Sequence, residues 1–462
     1  MTTIVEIERA EINPLNPPAN NSYSFSEGFP IIQFMIPNQA KFLDGSSLRL
    51  NGVLRVNTNT STEATPVLVD NGNNKSVSTS ANGCLSSRVG VASTLEQITL
   101  SSASGNQSLE TIRSYGRYLA STQSITHSQE DFDTNLAIES LTASRKMNGA
   151  VGVNNDVSFC MPLRTGLLSG GQPIPIGTNG VRGMMLELRL APDAQVLSGF
   201  TDNTGAAKNE TNTGNGFFYQ LRDLTLSYNL MVPDGEGEQK MSVSSTGSLN
   251  YNSVNHLYSV INSSDNTQNY NLGTGQTLSV FHNFLPTSHL NNYLQDGFAT
   301  PRLKNISGGT YSVEANIKRV SFLKGGVLSP IENEIDVETA SDNDRPMSEV
   351  LVNFIDSIKP FSKFNHSLIS LNTERDLSTD VNQLTGTDPV GDTSGFTQAD
   401  QDEVFGVGVA EDKYRVGSDF KNTNYGLRIV SDLDGQSPNS VFTYVMAKNT
   451  LQYSPQGIQV MA

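Results

Sequence analysis

The sequence predicts an all-β protein built from two tandem β domains. Three observations lead there. Several runs alternate apolar and polar residues with strict period 2, the mark of half-buried strands. Gly, Pro, Asn and Asp punctuate the chain between those runs, as turns require. At 462 residues the chain exceeds what a single core usually supports, so two domains are expected.

The richest stretch is 157–191, VSFCMPLRTGLLSGGQPIPIGTNGVRGMMLELRLA. Val157, Phe159 and Met161 form a short apolar segment closed by Pro162. A Gly/Pro turn region follows at Gly170, Gly171, Pro173, Pro175, Gly177 and Gly180. Met184, Leu186, Leu188 and Leu190 then alternate with Met185, Glu187 and Arg189, which places one set on a core face and the other toward solvent.

Earlier elements follow the same logic. Residues 1–28 are polar and irregular, and Pro14, Pro17 and Pro18 argue against a helix or central strand, so an extended N-terminal arm is expected. A first strand pair comes next. Ile32, Phe34 and Ile36 share a face; after a turn at Asp44-Gly45, Leu48, Leu50, Leu54 and Val56 alternate with polar residues. Residues 57–88 read as a long Ser/Thr/Asn/Gly loop, and strand character returns around 90–100. In SLETIRSYGRYLA, Leu109, Ile112, Tyr115 and Leu119 recur at helical spacing, with Ser108 as cap and Glu110 in the first turn. A second polar loop spans 197–216. FFYQLRDLTLSYNLMVP then sets Leu224, Leu226, Tyr228, Leu230 and Val232 against Asp223, Thr225, Ser227 and Asn229. Pro233-Asp234-Gly235 stops that strand, and GEGEQK reads as a linker, so the first domain spans 29–235 and the second 236–462.

The second half repeats the organisation. Strands are expected near 254–261 and 277–285, at Val313, Ala315 and Ile317, and toward Val320 and Phe322. Met347, Val350, Leu351, Phe354, Ile355 and Ile358 match one helical face, with Pro346 in the first turn and Pro360 closing it. An acidic loop covers 366–403. Strands resume at 406–409, 425–430 and 441–446, then at Leu451 and Tyr453 and at Ile458 and Val460. Many short strands, few helices and Gly/Pro turns indicate sandwiches or jelly rolls.

Composition narrows the functional classes. Forty-six acids against thirty bases give a net charge of −16, and no basic run offers a sequence-independent grip on nucleic acid. Mean hydropathy is −0.31, no run is long and apolar enough to span a membrane, and the N-terminus lacks the features of a signal peptide. Cys84 and Cys160 form no CxxC pair and are expected to be unpaired thiols.

No constellation of catalytic residues emerges, and no cofactor or metal is expected. The glycines of 166–183 match neither GxGxxG nor a P-loop, and no helix is expected to open there, so they read as turn residues. His127, His256, His282, His289 and His366 lack metal-ligand spacing. The acids Asp376, Asp380, Asp388, Asp392, Asp400, Asp402 and Glu403 lack EF-hand spacing and read as a solvated loop, with a cation as the alternative. No GxSxG context arranges a Ser/His/Asp set, and the absence of Trp weakens a carbohydrate enzyme.

The order of patterns at 31–56, 95–119 and 157–191, with support at 223–232 and 277–294, resembles the double jelly-roll major capsid proteins, in particular those of polinton-like viruses and virophages. The resemblance implies two tandem jelly rolls, each with a short helix and long loops. It further implies a structural, non-enzymatic protein of the virion. Three copies would form a pseudo-hexameric homotrimer tiling an icosahedral shell, meeting neighbouring capsomers, penton and minor capsid proteins, with no direct nucleic-acid contact; whether a membrane lies beneath the shell stays open. On that reading 57–88, 197–216 and 366–403 are tower or inter-subunit loops, while the N-terminal arm and the C-terminal QGIQVMA face the interior or neighbouring capsomers. The competing readings are a tandem β-sandwich adhesion or receptor-binding module, for which no internal repeat or coiled coil is seen, and a β-sandwich glycan hydrolase.

Overall fold

Alternation decides most of the strands, and sheet pairing decides how they layer. The computed structural model describes residues 4–59, 64–67, 69–70, 82–86, 89–103, 107–126, 135, 139–140, 156–178, 180–200, 217–236, 247–287, 290–291, 297–298, 317–337, 348–361, 406–414, 417–431, 438–454 and 457–461. The loop expectations for 366–403, for most of 57–88 and 197–216, and for His127, His289 and His366 lie outside them.

The first half contains β1 (Ile4–Ile12), β2 (Ser22–Tyr23), β3 (Ile31–Ile36), β4 (Phe42–Asn59), β5 (Ala64–Val67), β6 (Val69–Asp70), β7 (Asn82–Leu85), β8 (Leu95–Ser102) and β9 (Ser108–Arg113). Helix α1 (Tyr115–Thr126) follows, then β10 (Val157–Pro162), a one-turn helix α2 (Gly166–Ser169), β11 (Ile174–Pro175) and β12 (Met184–Leu190). Another one-turn helix, α3 (Asp193–Val196), leads into β13 (Leu197–Phe200) and β14 (Phe217–Pro233). One sheet runs β1-β14-β4-β10, and the facing one runs β3-β12-β8-β9. Across the second sheet Ile32, Leu188 and Ile98 stand opposite one another, as do Phe34, Leu186 and Leu100. All six are buried, so each cross-strand row forms one layer of the core. Opposite them Leu50, Leu54, Met161, Leu221 and Leu226 line the first sheet.

The second half contains β15 (Gly247–Ile261), β16 (Asp265–Tyr270), β17 (Thr277–Pro286), β18 (Ile317–Lys324), β19 (Val327–Leu328) and β20 (Ile335–Asp336). Helix α4 (Ser348–Ile358), β21 (Gly406–Ala410), a one-turn helix α5 (Glu411–Tyr414), β22 (Tyr425–Ser431), β23 (Asn439–Ser454) and β24 (Gly457–Met461) complete it. Its sheets run β15-β23-β17-β21 and β16-β22-β18-β19. The result is two jelly rolls in tandem. Among the described residues every strand ladder stays within 4–233 or within 247–461.

Several expectations are corrected. Ile4–Ile12 is a strand paired along β14, so the irregular arm begins with an ordered sheet edge. The strands containing Phe34 and Leu50 are not a hairpin pair: β3 and β4 belong to facing sheets. Asp44-Gly45 is a bulge inside β4 rather than a turn. The pairing steps from Ser227–Arg49 to Asn229–Asp44, and the Asp44 carboxylate accepts from the Ser46 backbone while Ser47 Oγ donates to the Asp44 carbonyl.

Residues 108–113 are strand, and the helix starts only at Tyr115. Gln97 to Ser101 offers a ladder to Ser108–Arg113, and that pairing overrides the helical spacing. The described ends of the two first-half loops pair with each other, β7 with β13. The terminal GIQVM is a strand on β23, in keeping with the strand expected at Ile458 and Val460.

The phase slip in β14, where Tyr219 and Leu221 give way to Leu224 and Leu226, has a local cause. Asp223 adopts φ +50° at a bulge, and Asn21 Nδ2 donates to its carboxylate at 2.7 Å. Phe34 lies at 0% exposure within the first core. Phe34→Ala is expected to lower unfolding free energy by about 3–5 kcal/mol, read as a shift in denaturant midpoint.

Candidate functional site: the joint between the two jelly rolls

Strand β17 is buried along its whole length on both faces, so TLSVFHNFLP shows no alternation. Val280 and Phe284 point into the second barrel's core, with Val441 and Val445 of β23. Leu278, Phe281 and Leu285, with Phe442, Tyr444 and Met446, point the other way and join the cluster that fills the first barrel. The sheet β15-β23-β17-β21 therefore serves two cores at once. Against it pack α1, β9 and α2 of the first barrel, and Tyr118 and Tyr444 bring their rings to 5.6 Å.

The polar groups of this joint are unusual. Glu110 on β9 is 4% exposed, and it accepts from Gly166 N at 3.0 Å, Leu167 N at 2.9 Å and Val254 N at 2.7 Å. The first two donors open α2 of the first barrel, and the third lies on β15 of the second. One carboxylate thus satisfies backbone groups of both halves. Burial pushes its pKa up, while the Leu167, Val254 and Gly166 amides and the Thr165 hydroxyl oppose that shift. Contrary to the expectation for 166–183, a helical turn does open at Gly166, with Thr165 as N-cap. Its N-terminus does hold an anion, and that anion is the protein's own Glu110.

Further links cross the same seam. Tyr251 OH donates to the Leu109 carbonyl at 2.6 Å, and Tyr444 OH to the Ser114 carbonyl at 3.0 Å. Ser121 Oγ donates to Asn283 Oδ1 at 2.5 Å, and Arg182 Nη2 to the Ser454 carbonyl at 2.6 Å. Arg117, 2% exposed, donates to the Gly297 carbonyl, and its guanidinium lies 5.1 Å from the Phe442 ring centre. Gly166 itself has no room for a side chain: a Cβ there would sit 2.5 Å from the Asn252 carbonyl oxygen.

The histidines divide. His282 is fully buried, its ring nitrogens 2.8 Å from Thr443 Oγ1 and 2.8 Å from Tyr425 OH, and burial pushes its pKa down to about 3. His256 lies against Phe442 and Tyr444, its Nε2 without a hydrogen-bond partner; burial, then the nearby Arg113 charge, pushes its pKa down to about 4. Cys160 is a free, half-buried thiol, while Cys84 lies on β7. Among the described residues no group of three or more His, Cys, Asp or Glu side chains could hold a metal ion, and no helix is long and apolar enough to cross a membrane. Sequence reading placed Glu110 in the first turn of a helix and passed over Arg117, because the role of each exists only where the two barrels meet.

Two antiparallel sandwiches sharing one two-faced sheet define the class: a double jelly-roll protein. Solved structures of viral capsid proteins share that fold over nearly the whole chain. The virus PBCV-1 capsid structure matches at 11% identity and TM-score 0.54, covering 99% of this chain and 97% of that one. The Sputnik virophage structure matches at 10% identity and TM-score 0.54, covering 99% and 88%. The Faustovirus major capsid protein matches at 9% identity and TM-score 0.55, covering 98% and 91%. No protein-family model and no curated protein matches the sequence.

Two outcomes test the joint. Glu110→Ala leaves three buried amides without their acceptor and is expected to cost at least about 3 kcal/mol, with Glu110→Gln costing less because one acceptor oxygen remains; denaturant midpoints check both. The folded His256 pKa, near 4, lies below the ordinary 6.5. The unfolded chain therefore binds that proton more readily, and stability is lost as pH falls from about 6.5 to about 4. His256→Phe is expected to keep the melting temperature at pH 7 and to flatten this decline, by up to about 3 kcal/mol.

Proposed function

We propose that this chain is a major capsid protein, a structural protein of the virion rather than an enzyme. The observation that supports it best is the full-length likeness: the match to capsid chains covers both barrels, not one sandwich alone. The physics fits a shell. A joint with apolar packing and buried hydrogen bonds makes the two barrels one stiff body, and a stiff two-barrel body repeated about a threefold axis gives six barrels in a closed ring. That homotrimer is the pseudo-hexameric capsomer we assign to the protein. Its partners are then further copies, neighbouring capsomers, and penton and minor capsid proteins. A net charge of −16 argues against direct contact with the genome. The segments within 57–88, 197–216 and 366–403 are assigned as tower or inter-subunit loops, and the first domain as 29–235 with the strand at 4–12 added to its edge.

Light scattering after size exclusion tests this reading. A mass three times 49.9 kDa, with a six-lobed outline in negative stain, is the expected result. A monodisperse monomer at micromolar concentration overturns it.

A further inference from the structure

The register of a strand is ordinarily set by which of its faces is wet, and β17 has no wet face. Its side chains from Val280 to Leu285 divide into two sets. Val280, His282 and Phe284 stand opposite Val445, Thr443 and Val441 of β23, on the side of the second barrel's core. Phe281, Asn283 and Leu285 stand opposite Tyr444, Phe442 and Ser440, on the side of the joint. All six are at 0% exposure. Each side therefore receives two apolar residues and one polar residue. A slip of one position would exchange the two sets, apolar for apolar, so burial alone scarcely separates the registers.

The two polar residues do separate them. The His282 ring reaches Thr443 Oγ1 and Tyr425 OH, each at 2.8 Å. Thr443 Oγ1 in turn donates to Tyr270 OH at 3.3 Å, and Tyr270 OH lies 2.8 Å from Ser259 Oγ. These five residues come one each from β15, β16, β17, β22 and β23, so the chain of hydrogen bonds crosses the second barrel and joins its two sheets. Asn283 points the other way, where its Oδ1 accepts from Ser121 Oγ of α1 at 2.5 Å.

Slipped by one position, the imidazole would enter the joint and the amide would enter the barrel. Both would leave these partners, at a cost well above that of exchanging one buried apolar side chain for another. A slip of two positions keeps the faces but sets His282 opposite Val441 or Val445 in place of Thr443.

We infer that His282 and Asn283 are the register key of β17, two adjacent polar residues aimed to opposite sides that fix which face of the strand each barrel receives. Their role is to select one arrangement rather than to add net stability, as a single buried polar residue does in setting the register of a coiled coil. Because β17 serves both cores, the key also sets the face shown to the first barrel, where Phe281 stacks on Tyr444 at 5.1 Å between ring centres.

The test compares the full-length wild type with a variant carrying His282→Phe, Asn283→Leu and Tyr425→Phe. These changes keep side-chain volumes close and leave no orphaned phenol, while Ser121 keeps the Arg117 carbonyl and Thr443 keeps Tyr270. The readouts are the melting temperature and the methyl spectrum of labelled valines, with Val280, Val441 and Val445 assigned one at a time by substitution to isoleucine. The variant is expected to melt within about 5 °C of the wild type. Its three valine signals are expected to split into two or more sets where the wild type shows one. A single native set overturns the proposal, because the shapes of the apolar side chains then fix the register. A variant that does not fold overturns it too, since the two residues then supply stability rather than selection. A second variant exchanges the pair at constant composition, His282→Asn with Asn283→His, and is expected to lose the native valine set. Retention of that set at the wild-type melting temperature overturns the proposal.

Discussion

The structure depends on a sheet that has no solvent face. β17 and the central part of β23 bury one row of side chains in the second barrel and the other row against α1 and β9 of the first. A sheet of that kind can sit only between two bodies, so the second jelly roll is complete only when the first is docked on it. Glu110 is the polar counterpart of this constraint. A carboxylate without water is costly, and it is held here because three backbone N–H groups from the two halves converge on it. Remove either half and the charge loses part of its donor set.

That arrangement explains why so many polar side chains tolerate burial at the seam. Tyr251, Tyr444, Ser121 and Arg182 each find an acceptor in the opposite half. Directional bonds of this sort fix the angle between the barrels, where apolar packing alone would permit sliding. A fixed angle is the property a closed ring of identical bodies requires, because small errors in orientation would accumulate around it.

The sequence was legible where a strand has one wet face. Met184–Leu190, Ile31–Ile36 and the run from Leu224 onward alternate because one face meets water, and their buried sets are largely the ones the pattern named, with Val232 only half-buried and Ser227 buried in the last run. Helix α4 was legible for the same reason, with Val350, Phe354 and Ile358 buried on one stripe. Legibility failed where tertiary pairing competed with local spacing. Leu109 and Ile112 sit at helical intervals from Tyr115, yet a ladder to β8 made them strand. Gly166 looked like a turn glycine, and it instead starts a helical turn pressed against Asn252 of the other half.

The sequence by itself determined the all-β class, two domains and most strand positions, since those follow from period-2 alternation and turn residues acting over a few positions. It also carried the order of patterns that resembles double jelly-roll capsid proteins. Only the tertiary structure decided which strands share a sheet, that β17 is buried on both faces, and that Glu110 bridges the two barrels. Each of those depends on residues more than a hundred positions apart: Glu110 meets Val254, and Tyr444 meets Ser114. A local pattern holds no record of such a partner, because the free energy of burial is set by what packs against a side chain and not by its neighbours in the chain.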